Sequence, residues 1–124
     1  MRGNNKSGKL GEVYAAKHLA ENGYIILETN FKTCVAEIDI IAKDTDGTLC
    51  FIEVKTRKNK NYGYGTDFIF KSKIEKMILG ARSYLAAHSV SNDIRFDIIE
   101  IYGEILPSGF VVREFNHIKN AFDS

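Results

Sequence analysis

Two alternating apolar segments on either side of an Asp-Gly turn constrain this chain more than any other feature. Glu37-Ile38-Asp39-Ile40-Ile41-Ala42 and Leu49-Cys50-Phe51-Ile52-Glu53-Val54-Lys55-Thr56 flank Asp44-Thr45-Asp46-Gly47-Thr48. Successive side chains on a strand point to opposite faces, so this pattern predicts a β-hairpin. The length of its turn decides which residues meet. A two-residue Asp46-Gly47 turn sends Asp39 and Glu53 to opposite faces. A three-residue loop, Thr45 to Gly47 with Gly47 left-handed, pairs Asp44 with Thr48, Asp39 with Glu53 and Glu37 with Lys55.

The rest of the chain frames that hairpin. Residues 6–22 carry Leu10, Val13, Tyr14, Ala16, Leu19 and Ala20 near helical spacing, and Gly23 supplies a stop. Tyr24 to Leu27 is a short strand-like run. After the hairpin, Arg57 to Gly65 is polar and glycine-punctuated, hence a loop. Ser72-Lys73-Ile74-Glu75 has the capping-box pattern, opening a helix that ends near His88 with Ile74, Met77, Ile78, Ala81, Tyr84 and Leu85 toward the core. Ile94–Ile101 and Phe110–Phe115 read as strands, joined through Gly103 and a Pro107-Ser108-Gly109 turn. Asn116 to Phe122 reads as a last helical turn. Helix, three strands, helix and two strands imply an α/β fold with layers around a mixed sheet, and 124 residues fit one domain, 1–124.

Composition removes several classes. No apolar run reaches the ~18–20 residues that span a bilayer, and the polar start Met1-Arg2-Gly3-Asn4-Asn5-Lys6 has no signal-peptide core behind it. No membrane and a cytoplasmic location are therefore expected. Cys34 and Cys50 form no CxxC pair and read as reduced, inert thiols, while His18, His88 and His117 have no shared metal spacing. Net charge is only +1, yet Lys55, Arg57, Lys58, Lys60, Lys71, Lys73 and Lys76 crowd one stretch against Asp67 and Glu75. Such a field suits a polyanion; it also suits a solvated loop and helix face.

The chemistry centres on the hairpin. In the longer-loop register Asp39 and Glu53 face each other amid apolar neighbours, with Lys55 two residues along from Glu53. Like charges so close are costly unless a proton or cation joins them. Paired carboxylates suit Mg²⁺, and a lysine beside them can orient a metal-bound water and offset charge at a phosphorus centre. The competing structure is an ion-pair ladder, Glu37 to Lys55 and Asp39 to Arg57. Glu12, in the first helix beside apolar positions, is either an exposed glutamate or a carboxylate that reaches the metal through water.

Asp39 followed by Glu53-Val54-Lys55, on neighbouring strands after an amino-terminal helix, resembles the PD-(D/E)xK nuclease pattern. Gly8-x-x-Gly11-Glu12, Gly23-Tyr24, Asn30-Phe31, Phe51 to Arg57, Lys71-x-Lys73-Ile74, Tyr84-Leu85 and Arg95-Phe96-Asp97 extend it. Together they resemble the YraN-type bacterial family, described as endonuclease-like and distantly related to Holliday-junction resolvases. The motif's proline is replaced by Ile38. The resemblance implies a restriction-endonuclease-like three-layer core and Mg²⁺ or Mn²⁺ held by Asp39, Glu53 and the Val54 carbonyl. It makes Lys55 the catalytic lysine and Glu12 the helix-borne acid, and it implies a homodimer. The expected function is phosphodiester hydrolysis in DNA, branched intermediates included. Arg57, Lys58, Lys60, Lys71 and Lys73 would take backbone phosphates, and Tyr62 and Tyr64 would stack on bases. The alternatives are a non-catalytic nucleic-acid-binding module on the same fold and a protein-binding adaptor.

Overall fold

In the computed structural model, which describes residues 6–59, 71–88 and 92–123, the hairpin lies in a five-stranded sheet. The elements are α1 (Lys6–Glu21), β1 (Ile25–Lys32), β2 (Glu37–Lys43), β3 (Leu49–Arg57), α2 (Lys71–His88), β4 (Ile94–Leu106) and β5 (Gly109–Phe122). The strands lie in chain order, and only β3 and β4, joined across α2, run parallel. Parallel central strands are covered on both faces, which accounts for near-continuous burial from Leu49 to Val54 and from Phe96 to Gly103. Alternation then sorts two cores. Ile40, Ile52 and Ile99 pack with Ala15 and Leu19 of α1, whereas Ile41, Phe51 and Phe96 pack with Met77, Ala81 and Tyr84 of α2. No helix among the described residues is long and apolar enough to cross a membrane.

Several boundaries differ from the sequence reading. β1 extends past Leu27 to Lys32, because an edge strand with much of its surface exposed shows no apolar run. α2 begins at Lys71, so Ser72 lies inside the first turn rather than capping it. Gly103 is not a joint between strands; it lies within β4, at a register shift where a Cβ would stand 2.6 Å from the Val111 carbonyl. The largest correction is at the carboxyl end. Residues 116–122 form strand, not a helical turn, pairing Glu100 with Asn116, Ile98 with Ile118 and Phe96 with Phe122. Their N–H groups find partners in β4, and the bulge between Phe96 and Ile98 brings the Asn120 N–H to Asp97.

Gly11 sets how closely α1 approaches the sheet. A Cβ there would run into Thr56 Oγ1 of β3, so only glycine lets the helix settle against the strand. Gly11→Ala is expected to cost about 1–3 kcal/mol by overpacking, read as a lower urea midpoint. An unchanged midpoint would mean that α1 is free to slide.

Candidate active site

The turn adopts the longer-loop form. Gly47 has φ 90°, its N–H donates to the Asp44 carbonyl at 2.9 Å, and the Asp44 N–H donates to Thr48 at 2.9 Å. β2 and β3 then pair from Lys43↔Leu49 to Ile40↔Ile52. One further step in that register brings Asp39 level with Glu53, and there the strands part. Val54 would lose its partner across the gap, but Asp39 Oδ2 accepts its N–H at 2.8 Å. A side chain thus replaces the backbone at the fork.

Glu53 is only 7% exposed, an expensive place for a carboxylate. Its neighbours are two ammonium groups. Lys55 Nζ stands 3.7 Å from Oε2 and Lys73 Nζ 3.3 Å from Oε1. Oε1 is nevertheless buried without an aligned hydrogen bond, so Lys73 meets it as an ion pair only. Lys55 is therefore paired with Glu53 along its own strand, and not with Glu37 as the ladder required. Burial, and after it the Glu53 charge, pushes the Asp39 pKa up to about 8; the Val54 N–H opposes this, Glu12 adds to it and Lys73 opposes it.

Glu12 comes to the same place. Asn30 of β1 donates from Nδ2 to Glu12 Oε1 at 3.0 Å and, more weakly, to Glu37 Oε2 at 3.4 Å. Asn30 does so from a left-handed backbone, φ 52°, which asparagine tolerates better than most residues. Glu12, Asp39, Glu53, Val54 and Lys55 line one cleft of about 550 Å³, with Lys9, Lys32 and Arg57 among the residues completing its wall.

The basic residues separate. Arg57 lines the cleft and Lys73 reaches Glu53, whereas Lys58 turns to Glu104 at 3.6 Å and Lys71 is exposed at the start of α2. Lys60, Tyr62 and Tyr64 lie outside the described residues. Sequence reasoning placed Lys73 among the phosphate-binding lysines and missed its contact with Glu53. The signal was in the connection: a helix crossing between parallel strands starts beyond the carboxyl end of the strand it leaves. It also missed Asn30, since nothing in β1 announces a left-handed residue.

A second polar cluster lies at the amino end of β4. Asp97, wholly buried, accepts from Arg95 Nε at 3.0 Å, from His117 Nε2 at 2.8 Å and from the Asn120 N–H at 2.9 Å. Arg95 also donates to Asp44 at 2.7 Å and to the Tyr24 hydroxyl at 2.7 Å. His117 is thus a structural partner. Burial pushes the Cys50 thiol up to about 12, so it stays protonated and inert.

Among the described residues no three His, Cys, Asp or Glu side chains converge as a metal-binding group. The Asp39–Glu53 pair supplies carboxylate oxygens, and one buried oxygen lacks an aligned donor. That fits a hard ion such as Mg²⁺ or Mn²⁺, which takes one or two carboxylates and completes its shell with water.

Comparison with known proteins finds one family. The model of the uncharacterised protein family UPF0102 matches residues 11–101, a span that holds Glu12, Asp39, Glu53, Lys55 and Lys73. The chain is 41% identical to a UPF0102 protein of Acetivibrio thermocellus over 123 residues, 96% of this chain and 94% of that one. It is 41% identical to one from Persephonella marina over 117 residues, 94% and 92% of the two chains. A third, from Chlorobium phaeobacteroides, shares 43% over 118 residues, 93% and 92%.

Proposed function

The chain belongs to the UPF0102 family, and we propose for it a metal-dependent hydrolysis of phosphodiester bonds in DNA, on a restriction-endonuclease-like core. One observation carries the reading: Asp39 closes the fork between β2 and β3 by accepting the Val54 N–H, while Glu53 and Lys55 line the same cleft. A carboxylate pair beside a lysine on two neighbouring strands is the arrangement that the PD-(D/E)xK resemblance implies.

In this reading Asp39, Glu53 and the Val54 carbonyl would hold the divalent ion. When bound, the ion supplies Lewis-acid polarisation of the phosphate and lowers the pKa of a coordinated water. Lys55, held by Glu53, would orient an attacking water toward phosphorus and offset charge on the phosphoryl oxygens. The attacking water gives up a proton as its oxygen bonds to phosphorus, the P–O bond to the leaving strand end breaks, and the departing oxygen takes up a proton. Glu12, pinned by Asn30, borders the cleft and reaches the centre through water. Lys9, Lys32 and Arg57 on the wall meet flanking phosphates. The resolvase resemblance adds branched DNA to the substrates and a homodimer as the working form.

The test is cleavage of linear duplex, single-stranded and four-way-junction DNA in Mg²⁺ and in Mn²⁺. Cutting that requires the metal and disappears in Lys55→Met is the expected result. Intact DNA under every condition, or full activity in Lys55→Met, would overturn the mechanism. A thermal scan adds a readout independent of activity: an ion that binds only the native state stabilises it by ~2.7 kcal/mol at a hundred times its dissociation constant.

A further inference from the structure

We infer that Lys73 is an exchangeable counter-ion of the acidic centre, which neutralises Glu53 in the metal-free protein and is displaced by the divalent ion; this rests on the metal-site reading above. Lys73 is the third residue of α2, so its backbone is fixed in the first helical turn while its side chain reaches Glu53. The contact is an ion pair without aligned hydrogen bonding. A buried carboxylate oxygen held so loosely is a poor structural anchor and a ready ligand.

The two lysines at Glu53 are not equivalent. Lys55 sits on the same strand at Oε2, its side chain 21% exposed; Lys73 comes from another element to Oε1 and is 36% exposed. A metal–oxygen bond to Mg²⁺ is only ~2.0–2.1 Å long. An ammonium 3.3 Å from the same oxygen would then lie against a doubly charged ion. Lys73 must withdraw, and its flexible, partly exposed stem lets it. Once released at the rim, its charge is free to meet a phosphate, so metal binding and polyanion binding support each other.

Calorimetric titration of Mn²⁺ into the full chain at pH 8 tests this on wild type, Lys73→Met and Asp39→Asn. Removing a competing neighbouring charge is worth about one log unit, so Lys73→Met is expected to bind Mn²⁺ roughly tenfold more tightly. Asp39→Asn should lose the binding. Equal or weaker binding by Lys73→Met, alongside wild-type binding that depends on Asp39, overturns the exchange and leaves the metal site standing. No Mn²⁺ binding by any of the three chains overturns both. Lys73→Arg, which keeps the charge, should bind like wild type; tenfold tighter binding there would also sink the exchange.

Discussion

Asp39→Asn is expected to make the metal-free protein more stable at pH 8 while abolishing the proposed nuclease activity. The folded protein raises the Asp39 pKa from 3.8 to about 8, through burial and then the Glu53 charge. A carboxyl with a raised folded-state pKa contributes stability that is complete below its unfolded pKa and is lost as pH rises through the folded one. The loss therefore accumulates from about pH 4 to about pH 8, where the ionised Asp39 is least welcome. Asparagine keeps an oxygen for the Val54 N–H and carries no charge. Each pKa unit is worth about 1.4 kcal/mol; water in the half-open cleft absorbs part of that, leaving a gain on the order of 2–3 kcal/mol at pH 8 and little at pH 4. Chemical unfolding across that range measures it. A variant no more stable than wild type at pH 8 would mean that Asp39 is already ionised and well solvated. Activity should meanwhile fall at least about a hundredfold, as when a group that stabilises developing charge is removed. Divalent-ion affinity in wild type should rise with pH toward 8, since binding releases the Asp39 proton.

Much of this arrangement was legible before any coordinates. Alternation over 37–42 and 49–56 located the hairpin and reduced its register to two turn lengths; the left-handed Gly47 of the three-residue loop decides between them and brings Asp39 level with Glu53. These are local rules, set by side-chain direction and turn chemistry. The features that escaped are those in which distant segments settle an account left open locally. Nothing near Asp39 indicates that the ladder stops at Ile40 and that a side chain then takes the Val54 N–H. Lys73 looked like one more surface lysine because its partner lies twenty positions earlier. Residues 116–122 looked helical because their polar and apolar residues fit either period; pairing with β4 and the demand of Asp97 for donors decided for strand. Arg95-Phe96-Asp97 was noticed only as part of a family pattern, with no hint of its role in packing.

That last group carries the second large effect, and with the opposite sign to the first. Asp97→Asn is expected to destabilise the protein by about 3–5 kcal/mol, the usual result of breaking a buried ion pair from one side. Asp97 is wholly buried and accepts from Arg95, His117 and Asn120, joining β4 to β5; through Arg95 it also joins Asp44 in the hairpin turn and Tyr24 before β1. Burial alone would raise its pKa; the His117 and Arg95 side chains and the Asn120 N–H outweigh it and hold the carboxyl below its ordinary value. Its contribution is therefore present above the unfolded carboxylate pKa, about 3.9, and is lost as pH falls through the lower folded value. Asparagine places an amide donor against two donors and strands the Arg95 and His117 groups. The two aspartates thus govern different limbs of one stability curve. Asp97 supplies the acid limb below about pH 4 and Asp39 the decline from there to about pH 8, so these two groups place the stability maximum of the metal-free protein near pH 4, where the limbs meet. Chemical unfolding of both variants from pH 3 to pH 9 separates the limbs. If Asp97→Asn left the acid limb in place, or cost less than about 1 kcal/mol, the cluster would be a bystander to the fold. The same aspartate-to-asparagine exchange thus loosens the sheet at the amino end of β4 and tightens it at the fork, because Asp97 has donors enough for its charge and the buried Asp39 accepts one N–H beside the charge of Glu53.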